Sequence, residues 1–150
     1  MNKLEYIPGD IVKIEYGEAT GKIGFVTNTF LRRKGFYSLV VSIGKGFQGS
    51  SKDDWIQTYN DGVSPIPLTP EILEKNGWKI EDVKPHDFSN IVSNGVMYRA
   101  IKDKEILYFQ KGASVFTCPL NWRKIEIRYV HQLQHLLFGL GLNSEMEVYV

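Results

Sequence analysis

The chain has 150 residues, 43% hydrophobic and 23% charged, and a formal net charge of +1. Those proportions are ordinary for a globular protein and exclude a wholly disordered chain; near-neutrality excludes a global attraction to nucleic acid or to anionic membrane. The length allows one domain or two very small ones, with roughly 70% of the unfolded surface buried on folding.

Residues 1–60 carry eight Lys/Arg against six Asp/Glu, whereas residues 61–150 carry ten against eleven. A polyanion site would therefore have to be a local patch on the first half. Cys118 is the only cysteine, so an intrachain disulfide is excluded and a reducing, cytoplasmic setting is expected. The segment after Met1 is polar rather than basic and then apolar, and no stretch approaches the roughly 20 apolar residues that a membrane span needs. No membrane contact is expected.

Taken in order, Ile11, Val12, Ile14 and Tyr16, then Ile23, Phe25 and Val26, form two short β-rich runs. Gly9, Gly17, Gly21 and Gly24 mark turns or close approaches. A third run, Phe36–Ile43, follows the basic tip Arg32-Arg33-Lys34-Gly35, and a fourth covers Asp54–Tyr59. Short strands at this spacing predict a small closed β-barrel over residues 1–62. The pattern Gly9-Asp10-x-Val12-x-Ile14, then Gly17, Gly21, Gly24 and Val26, resembles the KOW-type pattern of small Src-homology-like barrels in ribosomal proteins and transcription elongation factors. That resemblance implies a module binding RNA, DNA or protein through its loops, with Lys13, Lys22, Arg32, Arg33, Lys34 and Tyr37 as candidate nucleic-acid contacts. A solvated hairpin tip is the competing account of the same charges.

Gly44, Gly46 and Gly49 spell G-x-G-x-x-G, but no helical period follows them and no βαβ unit surrounds them. They read as a flexible loop between strands, and no cofactor is expected. Tyr59–Pro67 reads as a turn and an extended connector, because residues before proline are pushed out of the helical region.

The clearest local code is Pro65–Trp78, PIPLTPEILEKNGW. Thr69 is a helix N-cap, Pro70 fits the first helical position, and Glu71 favours the positive end of the dipole. Leu68 and Leu73 are spaced as a hydrophobic staple, and Gly77 suits a left-handed stop with Trp78 folding back. So short a helix is marginal alone, and Ile72, Leu73 and Trp78 are expected to pack against a second helix near the C-terminus.

Residues 81–94 read as a polar loop. Strands are expected at Val96–Ile101, Ile106–Gln110, Val115–Thr117 and Lys124–Arg128, an antiparallel meander with one wet face. Tyr129, Leu133, Leu136, Leu137 and Leu140 then form one helical stripe, stopped by Gly139 and Gly141. The acidic tail from Asn143 to Val150 reads as an edge strand or a frayed end. The order IPLTPEILEKNGW, strands, YVHQLQHLLFGL resembles a family of small proteins frequent in Bacteroides-type bacterial and phage genomes, over roughly residues 64–140. That family usually has Asn at the position of His135 and Tyr at that of Leu137. The resemblance implies no activity, but it does imply a phage or mobile-element setting.

His131 and His135 stand four apart and share a helix face, yet no Cys, Asp or Glu is near them in sequence. The reading is no metal site, with His131 bonded to nearby backbone and His135 solvated. Cys118, before Pro119 and near Leu120 and Trp122, has an apolar setting that leaves a thiol inert. Asp53 and Asp54 are adjacent and point apart, so no enzyme is expected. Trp55, Tyr59, Trp78 and Trp122 read as glue between subdomains, with an exposed stacking platform as the alternative.

The whole reading is an α+β protein: an N-terminal barrel at 1–62, then an antiparallel β-meander flanked by two helices at 63–150, packed together. Its expected function is a protein-interaction or assembly module with an unidentified protein partner. The alternative is a weak nucleic-acid binder using the basic tip.

Overall fold

A computed structural model describes residues 5–32, 36–43, 55–83, 97–110, 116–120, 123–146 and 148. In the first half, alternating side chains build one antiparallel sheet from β1 (Ile11–Ile14), β2 (Ile23–Leu31), β3 (Tyr37–Ser42), β4 (Trp55–Tyr59) and β5 (Val63–Pro65). A single 3-10 turn, Asn60–Gly62, separates the last two. The order across the sheet is β4-β3-β2-β1-β5.

The two faces of this sheet serve different cores. Val12, Ile14, Val26, Leu39, Val41 and Val63 turn to one side and close over Tyr6 and Ala19. Ile11 turns to the other side with Ile23 and Phe25, and joins a second core containing Leu68, Leu73, Trp78, Leu133 and Leu137. Gly24 lies where β2 passes β3 closely: a Cβ there would run into the carbonyl oxygen of Ser42 and the Val41 side chain. A bulge between Val26 and Asn28 shifts the register against β3. It inserts one residue, so Asn28 and Phe30 face away from the first core.

The sheet does not close into a barrel, which corrects the expectation of a small Src-homology-like or KOW-like barrel. Among the described residues, β4 is bonded only to β3 and β5 only to β1. Closure fails because β5 is three residues long and ends on Pro65, which has no N–H to donate. The chain then turns to the second half: Leu68 N–H donates to Arg128 O at 2.9 Å, and Val130 N–H to Ile66 O at 2.9 Å. The segment read as a connector is thus a strand followed by a paired extension.

In the second half, α1 (Pro70–Lys75) forms where its caps dictate. The Thr69 side chain accepts from Ile72 N–H at 3.3 Å, Gly77 adopts φ +84°, and Trp78 N–H reaches back to Leu73 O at 3.0 Å. β6 (Lys79–Val83), β7 (Met97–Lys102) and β8 (Glu105–Gln110) form a three-stranded antiparallel sheet. β9 (Phe116–Leu120) and β10 (Arg123–Ile127) pair separately. The loop expected over residues 81–94 is corrected at its start, where Glu81 to Val83 belong to β6, and its remainder lies outside the described residues; Ile80 packs on the core while Lys79 and Glu81 form an ion pair at 2.9 Å outside. The single four-strand meander is therefore replaced by a three-stranded and a two-stranded group.

The final helix, α2 (Val130–Gly139), ends with Gly141 at φ +72° and Leu142 N–H bonded to Leu137 O at 2.8 Å. Its buried face is Val130, His131, Leu133, Gln134 and Leu137. The leucine stripe is corrected at one end, since Leu140 caps the helix and is exposed. The two helices share the second core, α1 lying against β6 and α2 against β1 and β10. That core holds Ile72, Leu73 and Trp78 together with Leu133, Leu136 and Leu137.

Candidate functional site

Three features could carry function. The first is the outer face of the first sheet at its β4 end. Trp55, Gln57 and Tyr59 alternate onto this face, opposite Ser42, Val40 and Ser38 of β3. The bulge in β2 brings Phe30 into the same row as Ser38 and Tyr59. Trp55 is 48% exposed, Tyr59 54% and Phe30 46%, while Ser38 and Ser42 are buried between the larger side chains. Between the rings lie Asn28 and Gln57, whose amide donates to Ser38 Oγ at 3.1 Å. The face rows described here, on β2, β3 and β4, bear rings, amides and hydroxyls but no charge.

This placement revises the reading of the aromatic residues. Trp78 is buried in the second core, with Lys102 Nζ 6.0 Å from its ring centre, and does act as glue. Trp55 and Tyr59 stand about half exposed on the sheet surface. Trp122 lies outside the described residues, as does the glycine run at 44, 46 and 49.

The second feature is basic. Lys13 and Lys22 line one cleft of about 670 Å³ with Ile23, Ile43, Ser64, Pro65 and Pro67. Lys13 Nζ is 3.9 Å from Glu15, which also accepts from Ser64 Oγ. Arg32 and Tyr37 sit at the other end of β2, where Arg32 N–H donates to Phe36 O at 2.6 Å and its guanidinium lies 6.0 Å from the Phe30 ring centre. Tyr37 pairs with Leu31 across the strands. Arg33 and Lys34 lie outside the described residues. Since β2 runs from Ile23 beside Lys13 to Leu31 beside Arg32, the two groups are separated by roughly 26 Å of strand at about 3.3 Å per residue.

The third feature joins the chain's two ends. The Asp10 carboxylate is buried, and His135 Nε2 lies 2.9 and 2.8 Å from its two oxygens. Ile7 N–H donates to Oδ2 at 2.9 Å. Burial pushes the carboxyl above the usual range, against the downward pull of the Ile7 amide and His135. Beside it, the Gln134 side chain accepts from Ile11 N–H at 3.0 Å and donates to Gly9 O at 2.9 Å and Ser144 O at 3.1 Å.

His131 lies under this joint. Its ring is 5.1 Å from Tyr6, 5.9 Å from Tyr129 and 5.6 Å from His135, and its buried Nδ1 has no hydrogen-bond partner. Burial, then the nearby His135 charge, pushes its pKa down to about 4. The expected roles are thus corrected: His131 is a buried neutral ring rather than a backbone donor, and His135 is paired rather than solvated. Among the described residues, no three His, Cys, Asp or Glu side chains come together as a metal-binding group. Cys118 lies in β9 opposite Ile125. Sequence reasoning missed Asp10 and Gln134 because their partners are 125 and 123 residues away. A polar residue on the buried stripe of a helix was the available signal.

No family model, no curated protein and no solved structure matches the chain. The resemblances to KOW modules and to the Bacteroides and phage family are overturned by that result, and with them the phage setting. The Pro65–Trp78 motif is the general grammar of a capped short helix, which unrelated chains share. Among the described residues, no helix is long and apolar enough to cross a membrane.

Proposed function

We propose that this chain is a binding module that works by non-covalent contact with a protein partner through the Phe30, Trp55 and Tyr59 face. The observation that carries the reading is three large rings, each about half exposed, on one face of one sheet, two on β4 and one on β2 with β3 between them. Trp and Tyr dominate the energetic centres of protein interfaces, where charged residues are depleted. An aromatic face whose rows on β3 and β4 carry no charge, with Arg32 beside Phe30 at one margin, matches that composition. Binding rather than catalysis is supported by the Asp10 carboxylate, whose two oxygens are both engaged in holding the fold together. The single cysteine supports a reducing compartment, the cytoplasm, as the place of action.

A second reading, single-stranded nucleic acid, is favoured by Arg32 beside Phe30, since a cation next to a ring is the unit of a stacking groove. The distance to Lys13 and Lys22 weighs against a continuous phosphate track. One experiment addresses both. A displayed peptide library is panned on the full chain, and the selected peptides and a labelled oligonucleotide are titrated against wild type and a Trp55→Ser/Tyr59→Ser double variant. Peptides that lose at least about tenfold in affinity on the double variant, which is the signature of a central contact, support the proposal. Equal affinity for both proteins overturns it. Tight oligonucleotide binding that fades steeply with salt would transfer the function to the second reading.

A further inference from the structure

The first sheet ends in β4, and β4 differs from the other edge strands among the described residues. An open edge invites pairing with another chain, and proteins blunt such edges with charge or proline. β5 ends on Pro65, β6 carries Lys79, Glu81 and Asp82, and β8 opens with Glu105. In the two-stranded group, β9 contains Pro119 and β10 begins Arg123-Lys124. β4 is Trp-Ile-Gln-Thr-Tyr, without charge or proline, and its register with β3 runs without a bulge.

The strand also reads alike in both directions about Gln57: ring, branched side chain, amide, branched side chain, ring. We propose that β4 is a dimerisation edge, to which a second copy of this chain adds its own β4, antiparallel, across a two-fold axis through Gln57. This rests on reading the β4 end of the sheet as an interaction surface, and it adds a second copy of the chain at the edge beside the ring-bearing face. In that register Trp55 stands opposite the partner's Tyr59, Ile56 opposite the partner's Thr58, and Gln57 opposite the partner's Gln57. Every side chain keeps its face, because antiparallel partners directly opposite one another share a side of the sheet. An isologous two-fold contact requires such self-complementarity. Aromatic pairs directly across strands are favourable, and the two central amides can donate to and accept from each other. The joined sheets would be continuous, with the exposed rings of both copies in one band. The pairing covers one short strand on each side, so the dimer is reversible and concentration-dependent.

The test exploits the axis. Sedimentation of the full chain over a concentration series into the high-micromolar range should show the weight-average mass rising towards twice 17.2 kDa. Gln57→Lys and Gln57→Glu each place like charges opposite one another and should remain at the single-chain mass, while their equimolar mixture should return to the dimer. Gln57→Ser keeps the edge neutral and should dimerise, which guards against a charged variant that fails to fold. A wild type that stays monomeric overturns the proposal. So does a Gln57→Lys variant that dimerises like wild type, or a folded pair whose mixture stays monomeric. If the wild type is monomeric but still selects peptides in a Tyr59-dependent way, the interaction surface stands and only the second copy is removed. If it is monomeric and selects none, both fall.

Discussion

Gln134 bonds three backbone groups from two distant parts of the chain, Gly9 O, Ile11 N–H and Ser144 O. A buried amide that does this acts as a cross-brace: truncating it leaves donors and acceptors in a setting where water cannot easily replace it. Gln134→Ala should lower unfolding stability by on the order of 2–3 kcal/mol, the sum of lost bonds and newly unsatisfied groups. The urea midpoint should fall while the denaturant slope stays constant. Gln134→Glu should be no better, since a carboxylate cannot donate to Gly9 O or Ser144 O. A midpoint unchanged within error in the Ala variant would show that the brace is dispensable. Sequence reasoning took Leu133 and Leu137 correctly from their spacing, but the same periodicity is blind to a polar side chain whose partners come from the other end of the chain.

At the scale of elements, legibility follows the range of the cause. α1 was readable almost atom by atom because every determinant is local: Thr69 and Pro70 start it, Gly77 stops it, and Trp78 folds back within the same dozen residues. Thr69→Ala removes the side-chain oxygen that accepts Ile72 N–H at 3.3 Å, and should cost about 1 kcal/mol. Thr69→Ser should restore most of that, and chemical denaturation of the three proteins checks it. β5 and β6 were missed for the opposite reason. Val63–Pro65 is a strand only because β1 offers an edge, with Val12 against Pro65 and Ile14 against Val63. Lys79–Val83 has β7 beside it as well as the core under Ile80. Strand preference depends on the neighbour more than on the residue. The glycine pattern likewise fixed turns, at Gly9, Gly17 and Gly21 with positive φ, but could not say whether the sheet they punctuate would close. The bulge that turns Phe30 outward left no mark in composition either, so the aromatic face had to be found in three dimensions.

For the whole molecule, the decisive arrangement is two cores on opposite faces of one sheet, with α2 fastened to the sheet's first strand by Asp10, Gln134 and His135. Under that joint sits His131, between Tyr6, Tyr129 and His135, with the Asp10 carboxylate beyond. Two linkages of opposite sign act there. His131 has a folded pKa of about 4 against an ordinary value of 6.5. Between those values the unfolded chain takes up a proton that the folded chain refuses, so stability falls as pH falls from 6.5 to 4. Asp10 has a raised folded pKa, so its ionised form costs stability above that value and the cost is relieved as acid protonates it. The loss of stability on the acid side comes from His131. The wild type should therefore lose on the order of 2 kcal/mol between pH 7 and pH 5, at most about 1.4 kcal/mol per pH unit for one site. His131→Phe keeps a ring against Tyr6 and removes the titration, so its stability should be nearly flat over the same interval. Urea unfolding at a series of pH values measures both slopes. Parallel profiles for the two proteins would place the acid sensitivity elsewhere; a fall in the wild type that the variant lacks would show that protonating one buried ring loosens the joint through which the two cores are held as a single body.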